Sequence, residues 1–171
     1  MEAFDQTDGT LVQIFTTGGT IDKVYFDGKS RYEVGETVTG RILNEANIHV
    51  AYDLRMLMKK DSLDMDDEDR AYIADAVRGC EASRILITHG TDTMVETGKA
   101  IGRIPDKVVV MTGSMAPARF KESDAVFNVG FAMAAVQTLP PGVYVAMNGR
   151  IFHATACRKN VAAGRFESTS D

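Results

Sequence analysis

The chain has 171 residues, 44% of them hydrophobic and 25% charged, which suits one globular domain with a single core. A formal net charge of -5 gives no electrostatic reason to expect nucleic acid or an anionic membrane as partner. Two cysteines, Cys80 and Cys157, are too few for the disulfide framework of a small secreted domain. The opening MEAFDQTDG has neither the basic nor the apolar segment of a leader, and no apolar run approaches a membrane span, so the expected location is the cytoplasm.

In chain order, Leu11 to Phe15 reads as a strand that runs into the Gly-rich Thr17-Gly18-Gly19-Thr20. Residues 22–40 carry Gly28, Gly35 and Gly40 among polar residues and read as a long loop, the kind that is usually functional or mobile in a compact domain. Ile48 to Leu57 is a second strand candidate. Asp66 to Ala82 is helical, because Ile73, Ala76, Val77 and Cys80 recur at helical spacing as one apolar stripe. Arg84 to Thr88 is a short buried strand, and Thr93 to Arg103 a helix opened by a Thr93-x-x-Glu96 capping box. Val108 to Met111 is another buried strand. Asp124 to Leu139 is a helix apolar on nearly every face, stopped by Pro140-Pro141, and Val143 to Met147 is a further strand. Strands apolar throughout and alternating with helices imply a parallel sheet covered on both faces. The expected architecture is a single α/β domain over residues 1–171, three-layer αβα with a mostly parallel sheet. Ligands in such sheets bind beyond the carboxyl ends of the strands, which is where the polar motifs fall.

Three strand exits are rich in hydroxyls and glycine: Thr17-Gly18-Gly19-Thr20-Ile21, Thr88-His89-Gly90-Thr91-Asp92-Thr93 and Met111-Thr112-Gly113-Ser114-Met115. Taken singly, each has a structural explanation. The glycines can serve turns, Thr91 or Thr93 a helix cap, Asp92 the dipole of a first helical turn, and Lys159 the surface. Together they contain the parts of an amide hydrolase. A threonine hydroxyl must be activated by a neighbour. A lysine relieved of its proton by burial can do this, and an adjacent carboxylate can orient it. Backbone N–H groups at a glycine turn can hold the oxyanion. Thr20, Thr91, Asp92 and Lys159 supply these parts. There is no Gly-x-Ser-x-Gly elbow, and His49, His89 and His153 are too scattered to be assigned to a metal.

The pair Thr17-Gly18-Gly19-Thr20-Ile21 and Thr88-His89-Gly90-Thr91-Asp92-Thr93-Met94 resembles the two signature motifs of the bacterial-type L-asparaginases. The resemblance continues through Asp61-Ser62-Leu63-Asp64-Met65, Val110-Met111-Thr112-Gly113-Ser114-Met115, Asp124-Ala125-Val126-Phe127-Asn128, Met147-Asn148 and Lys159. It implies Thr20 as primary nucleophile and Tyr32, on a mobile lid loop, as its partner. It implies a second triad of Thr91, Asp92 and Lys159. Gly19, Asp61, Ser62, Thr91, Asp92 and Ser114 would line the substrate, with Asp92 taking its α-ammonium, Ser62 its α-carboxylate and the Ser114 carbonyl facing the leaving amide. The implied reaction converts L-asparagine to L-aspartate and ammonia, without cofactor or metal, by a covalent acyl-enzyme or by direct water attack.

Family members are usually about twice as long, so the resemblance also implies that their smaller C-terminal domain is absent here and that the active form is a homo-oligomer. Around Lys159, Cys157-Arg158-Lys159-Asn160 departs from the family's usual Thr-Lys-Thr. Two other readings stand beside this one. Some relatives release ammonia from glutamine for transfer to glutamyl-tRNA, but with an extra domain. A module that senses asparagine without turnover would have no use for the nucleophile. A phosphate-binding reading of Thr17-Gly18-Gly19-Thr20 fails for want of a Gly-Lys-Ser/Thr ending.

Overall fold

A computed structural model describes residues 11–26 and 31–169. The N-terminal segment read above as lacking a leader, and Gly28 and Ser30 of the expected loop, lie outside the described residues. The strands are β1 (Val12–Gly18), β2 (Lys23–Phe26), β3 (Arg31–Val34), β4 (Tyr52–Lys60), β5 (Arg84–Thr88), β6 (Val108–Thr112), β7 (Gly142–Met147), β8 (Arg150–His153), β9 (Cys157–Asn160) and β10 (Arg165–Ser168). The helices are α1 (Thr39–Glu45), α2 (Asp67–Gly79), α3 (Met94–Ile101) and α4 (Ala125–Thr138).

One sheet runs in the order β4-β1-β5-β6-β7-β8, parallel from β4 to β7 and antiparallel only at β8. Side chains alternate along each strand and so feed two cores. Phe15, Ile85, Ile87 and Met111 meet Ile73, Val77 and Met94 of α2 and α3. Ile14, Leu86, Val110 and Ala146 meet Leu43 of α1 and Val129 and Val136 of α4. This is the expected three-layer αβα arrangement. Each fully buried Ile, Leu or Val contributes about 1.5–3 kcal/mol relative to its exposed state, which is why the apolar strands occupy the centre of the sheet.

The structure corrects the sequence reading at the edges. The second strand starts at Tyr52 and runs to Lys60, later than the expected Ile48 to Leu57. It is an edge strand, where charges are tolerated, and Lys59 and Lys60 sit on it paired to Glu36 and Asp69. The expected loop over residues 22–40 contains the β2–β3 hairpin and the first two residues of α1, Thr39 and Gly40. The capping box is not at Thr93 but at Asp66 and Asp69, which open α2 reciprocally. Thr93, with φ -121 and ψ 22, makes no cap bond. Its hydroxyl donates instead to the Ser62 carbonyl. Helix α4, apolar on nearly every face, buries Val129, Ala132, Met133 and Val136 and leaves Val126 and Phe127 58% and 59% exposed.

Candidate active site

Strands β1, β5 and β6 end side by side, with Thr16, Thr88 and Thr112 in register. Beyond them the chain turns are held together by glycine. A Cβ at Gly19 would lie 2.4 Å from the Gly90 backbone, one at Gly90 would lie 2.4 Å from Ser62 Oγ, and one at Gly113 would lie 2.3 Å from the His89 carbonyl. Any larger residue would drive the exits apart, so these glycines are required by close approach and not by turn geometry alone. The Thr17 hydroxyl donates to the Thr88 carbonyl and the Gly19 N–H to the Lys60 carbonyl, tying the first exit to its neighbours on both sides.

Onto this platform β9 delivers Lys159. β9 pairs antiparallel with β10, and Phe166, opposite Lys159, is buried in the core and anchors the hairpin. Lys159 Nζ donates to Thr91 Oγ1 at 2.7 Å and to Asp92 Oδ1 at 2.8 Å. The Lys159 and Asp92 side chains are 16% and 34% exposed, and Thr91 is buried. Among the described residues Asp92 Oδ2 makes no hydrogen bond, which leaves one carboxylate oxygen free beside the ion pair. Three residues expected to act together are thus in direct contact across more than sixty positions of sequence.

The other expected residues are placed as follows. Ser62 is fully buried and its hydroxyl has no partner, an unusual state for a buried hydroxyl and one that a ligand oxygen would relieve. Asp61 is occupied: it pairs with Lys23 at 2.5 Å and accepts from Leu63 N–H. Burial pulls its pKa upward, but the Lys23 ammonium and backbone N–H bonds outweigh this and hold the carboxyl below its ordinary value. Its carboxylate therefore orients the Ser62 turn. Ser114 is buried, and its hydroxyl donates back to the Ala116 carbonyl. Thr20 opens a short 3-10 turn, Thr20–Asp22, directly after Gly19. Tyr32 lies on β3, 49% exposed, edge-on to Tyr25 and Phe120. It makes no hydrogen bond to Thr20 among the described residues, so the structure does not bring these two together. Tyr32 also lines a groove with Lys23, Lys60 and Asp61.

Sequence reasoning misses three supports of the site. His89 is fully buried, and its Nδ1 faces the Gly90 carbonyl at 2.7 Å. That carbonyl can only accept, so Nδ1 carries the proton and Nε2 accepts from the Thr97 hydroxyl. Burial pushes the His89 pKa down to about 4, which keeps the ring neutral. Asp124 accepts from the N–H groups of Met115 and Ala116 and from the amides of Asn128 and Asn148, and so shapes the loop after β6. Asp22 is a buried carboxylate two residues beyond Thr20. Only the motif position of His89 and the Asp124-x-x-x-Asn128 spacing hint at the first two; nothing in the pattern marks the third.

Among the described residues, no cluster of three His, Cys, Asp or Glu side chains is disposed to hold a metal. No helix there is long and apolar enough to cross a membrane. Cys80 and Cys157 are both free, and burial pushes the Cys157 thiol up to about 11.

Residues 11–169 match the family described as Asparaginase, N-terminal. The chain is 37% identical over 110 residues to an L-asparaginase of Thermococcus kodakarensis, covering 61% of this chain and 34% of that protein. It is 31% identical over 158 residues to a probable periplasmic L-asparaginase of Haemophilus influenzae, covering 84% of this chain and 44% of that one. The solved structure of the thermostable Thermococcus kodakarensis L-asparaginase superposes with a TM-score of 0.80 at 30% identity, over 92% of this chain and 51% of that one. The chain thus spans about half or less of the length of these relatives.

Proposed function

The chain belongs to the asparaginase family, matched across residues 11–169, and from that premise we propose that it hydrolyses the side-chain amide of L-asparagine to L-aspartate and ammonia. The observation that carries this reading is the Lys159–Thr91–Asp92 contact, set on the glycine platform next to Gly19 and Thr20. In the proposed reaction the Thr20 oxygen attacks the amide carbon. The Thr20 hydroxyl proton passes into the Thr91–Lys159–Asp92 relay and returns to the amide nitrogen as the C–N bond breaks and ammonia leaves. Water then cleaves the resulting ester, its oxygen going to the acyl carbon and one of its protons back to Thr20. In the alternative form of the same chemistry water attacks directly. Thr91 relays a proton to Lys159, which passes one to Asp92, so charge is conserved within the triad. Asp92 Oδ2 takes the α-ammonium, Ser62 Oγ the α-carboxylate, and the Thr91 backbone N–H stabilises the oxyanion. The Ser114 carbonyl accepts from the leaving amide. Tyr32 closes over Thr20 from the β2–β3 hairpin. No cofactor takes part.

Fixing both ends of the amino acid lets the nucleophile reach only one distance along the side chain. Glutamine moves the amide carbon by about 1.5 Å. A misplacement of about 1 Å can cost a hundredfold in rate, so asparagine is the preferred substrate. The test is ammonia release by purified protein from asparagine and glutamine at matched concentrations. Release from asparagine, and slower release from glutamine, supports the reading; none from either removes it, and equal efficiency removes the selectivity.

The same reading makes the active form a homo-oligomer and places it in the cytoplasm. Exposed Val126 and Phe127 on α4, with Phe127 stacked on Phe131, support the first, because an aromatic helix face gains by being covered. Two free cysteines suit a reducing compartment. Sedimentation at assay concentration and cell fractionation check the two points: a fully active monomer, or activity outside the cytoplasm, would contradict them.

A further inference from the structure

The turn that carries Thr20 and the hairpin that carries Tyr32 are joined at one residue. Asp22 N–H donates to the Gly19 carbonyl at 3.1 Å, so Asp22 closes the Thr20 turn. Its own carbonyl accepts from Gly35 N–H at 2.7 Å, where the chain leaves β3. Its carboxylate Oδ1 accepts from Val38 N–H at 2.8 Å, where α1 begins. On the other side, the neighbouring Ile21 carbonyl accepts from Ala118 N–H in the loop after β6. Gly35 is in close contact with Asp22, since a Cβ there would meet the Asp22 carbonyl at 3.0 Å.

We propose that Asp22 is the positioning residue that ties the root of the Tyr32 hairpin to the Thr20 turn and so sets the point from which the tyrosine closes on the nucleophile. Asp22 touches no substrate and acts through backbone. Its carboxylate is almost wholly inaccessible, and among the described residues no cation lies within ion-pair distance of it. Glu36, from the segment between β3 and α1, adds repulsion, and Arg119, from the loop after β6, a weaker attraction. The Thr37 hydroxyl and Val38 N–H favour the charged form, but burial prevails and raises the pKa to about 6. A carboxylate kept buried and unpaired costs stability, and such groups concentrate where function needs them. An asparagine would fill the same space without that cost.

The role concerns turnover only if the hydrolase reading above holds, so the test has one arm that needs no turnover. In wild type, amide hydrogen exchange of Gly35 and Val38 is slow at pH 7, and the Val38 amide loses protection as pH falls through about 6. Asp22→Ala frees the Val38 amide at every pH and lowers kcat/KM by about a hundredfold, as expected for a misplaced catalytic group. Asp22→Asn folds with a melting temperature at pH 7 no lower than wild type, lowers kcat/KM by a smaller factor, and flattens the acid limb of the pH profile. A merely structural aspartate would lower melting temperature and activity together and leave the shape of the profile unchanged. Unchanged Val38 protection in both variants, or an unchanged acid limb in Asp22→Asn, would overturn the proposal. If wild type releases no ammonia, the hydrolase reading fails by itself, and the exchange arm still decides whether Asp22 makes the tie.

Discussion

Two regions meet at Thr20 and are built in opposite ways. The strand-exit platform is closed: Ser62, His89 and Thr91 are buried, Gly19, Gly90 and Gly113 leave no room for a methyl group, and Lys159 is held by two short hydrogen bonds. The β2–β3 hairpin is open. Tyr25, Phe26 and Tyr32 are about half exposed, and the ring contacts of the two tyrosines are with each other and with Phe120, itself half exposed. Groups that must be pre-placed to within fractions of an ångström are set in close-packed backbone. Tyr32, which closes over substrate in the proposed reaction, is set on a segment that buries little and is tied mainly at its root, which is the low-stability end of any fold.

The sharpest way to break this contrast is to remove the platform's chemistry without its packing. Thr91→Val and Lys159→Met should each lower turnover by several orders of magnitude while thermal unfolding stays within a few degrees of wild type. A Lys159→Met protein with an unchanged rate would make the contact with Thr91 structural. On the hairpin, Tyr32→Phe should lower kcat/KM by about a hundredfold. Its stability should stay within about 0.5 kcal/mol of wild type, as for an exposed side chain. A large stability loss in urea titration would show that the hairpin is part of the core.

Gly90→Ala inverts that pattern. Its methyl group would meet Ser62 at 2.4 Å, and overpacking of this kind costs about 1–3 kcal/mol. Calorimetry showing no loss would mean that the strand exits have slack.

The smallest effect is in the acid dependence of stability. His89 titrates at about 4 in the folded chain against 6.5 ordinarily, so its contribution is complete above pH 6.5 and is lost as pH falls toward 4. Asp22 titrates at about 6 against 3.8, so it acts with the opposite sign, and folding weakens as pH rises from 4 to 6. Each pKa unit is worth about 1.4 kcal/mol, so the two terms, each of order 3 kcal/mol, nearly cancel between pH 4 and 6. Asp22→Asn removes one of them, and urea denaturation at pH 4 and pH 6 should then reveal a rise with pH that wild type hides. Parallel curves for the two proteins would show that Asp22 does not titrate there.

The same contrast explains what the sequence makes legible. The central strands and α2, α3 and α4 are readable because burial on both faces demands unbroken apolar runs and helical stripes. The Thr91, Asp92 and Lys159 grouping is legible through the family resemblance, and the structure brings the three side chains into contact. The hairpin is hidden because its side chains are half exposed and show no face. Edge strand β4 is displaced from its expected bounds because charged residues belong at a sheet edge. The expected cap at Thr93 fails because a carbonyl remote in sequence, that of Ser62, claims the hydroxyl. His89, Asp22 and Asp124 are hidden for one shared reason: each works through backbone partners that only the folded chain supplies.

The most direct test of the central claim is ammonia release from L-asparagine by Thr20→Ala, measured beside wild type on protein whose thermal unfolding is unchanged. Loss of about a thousandfold or more in turnover is the result predicted for a nucleophile seated on the platform. Ammonia release at a near wild-type rate would mean that Thr20 is only a turn residue and that the chemistry assigned to this site is wrong.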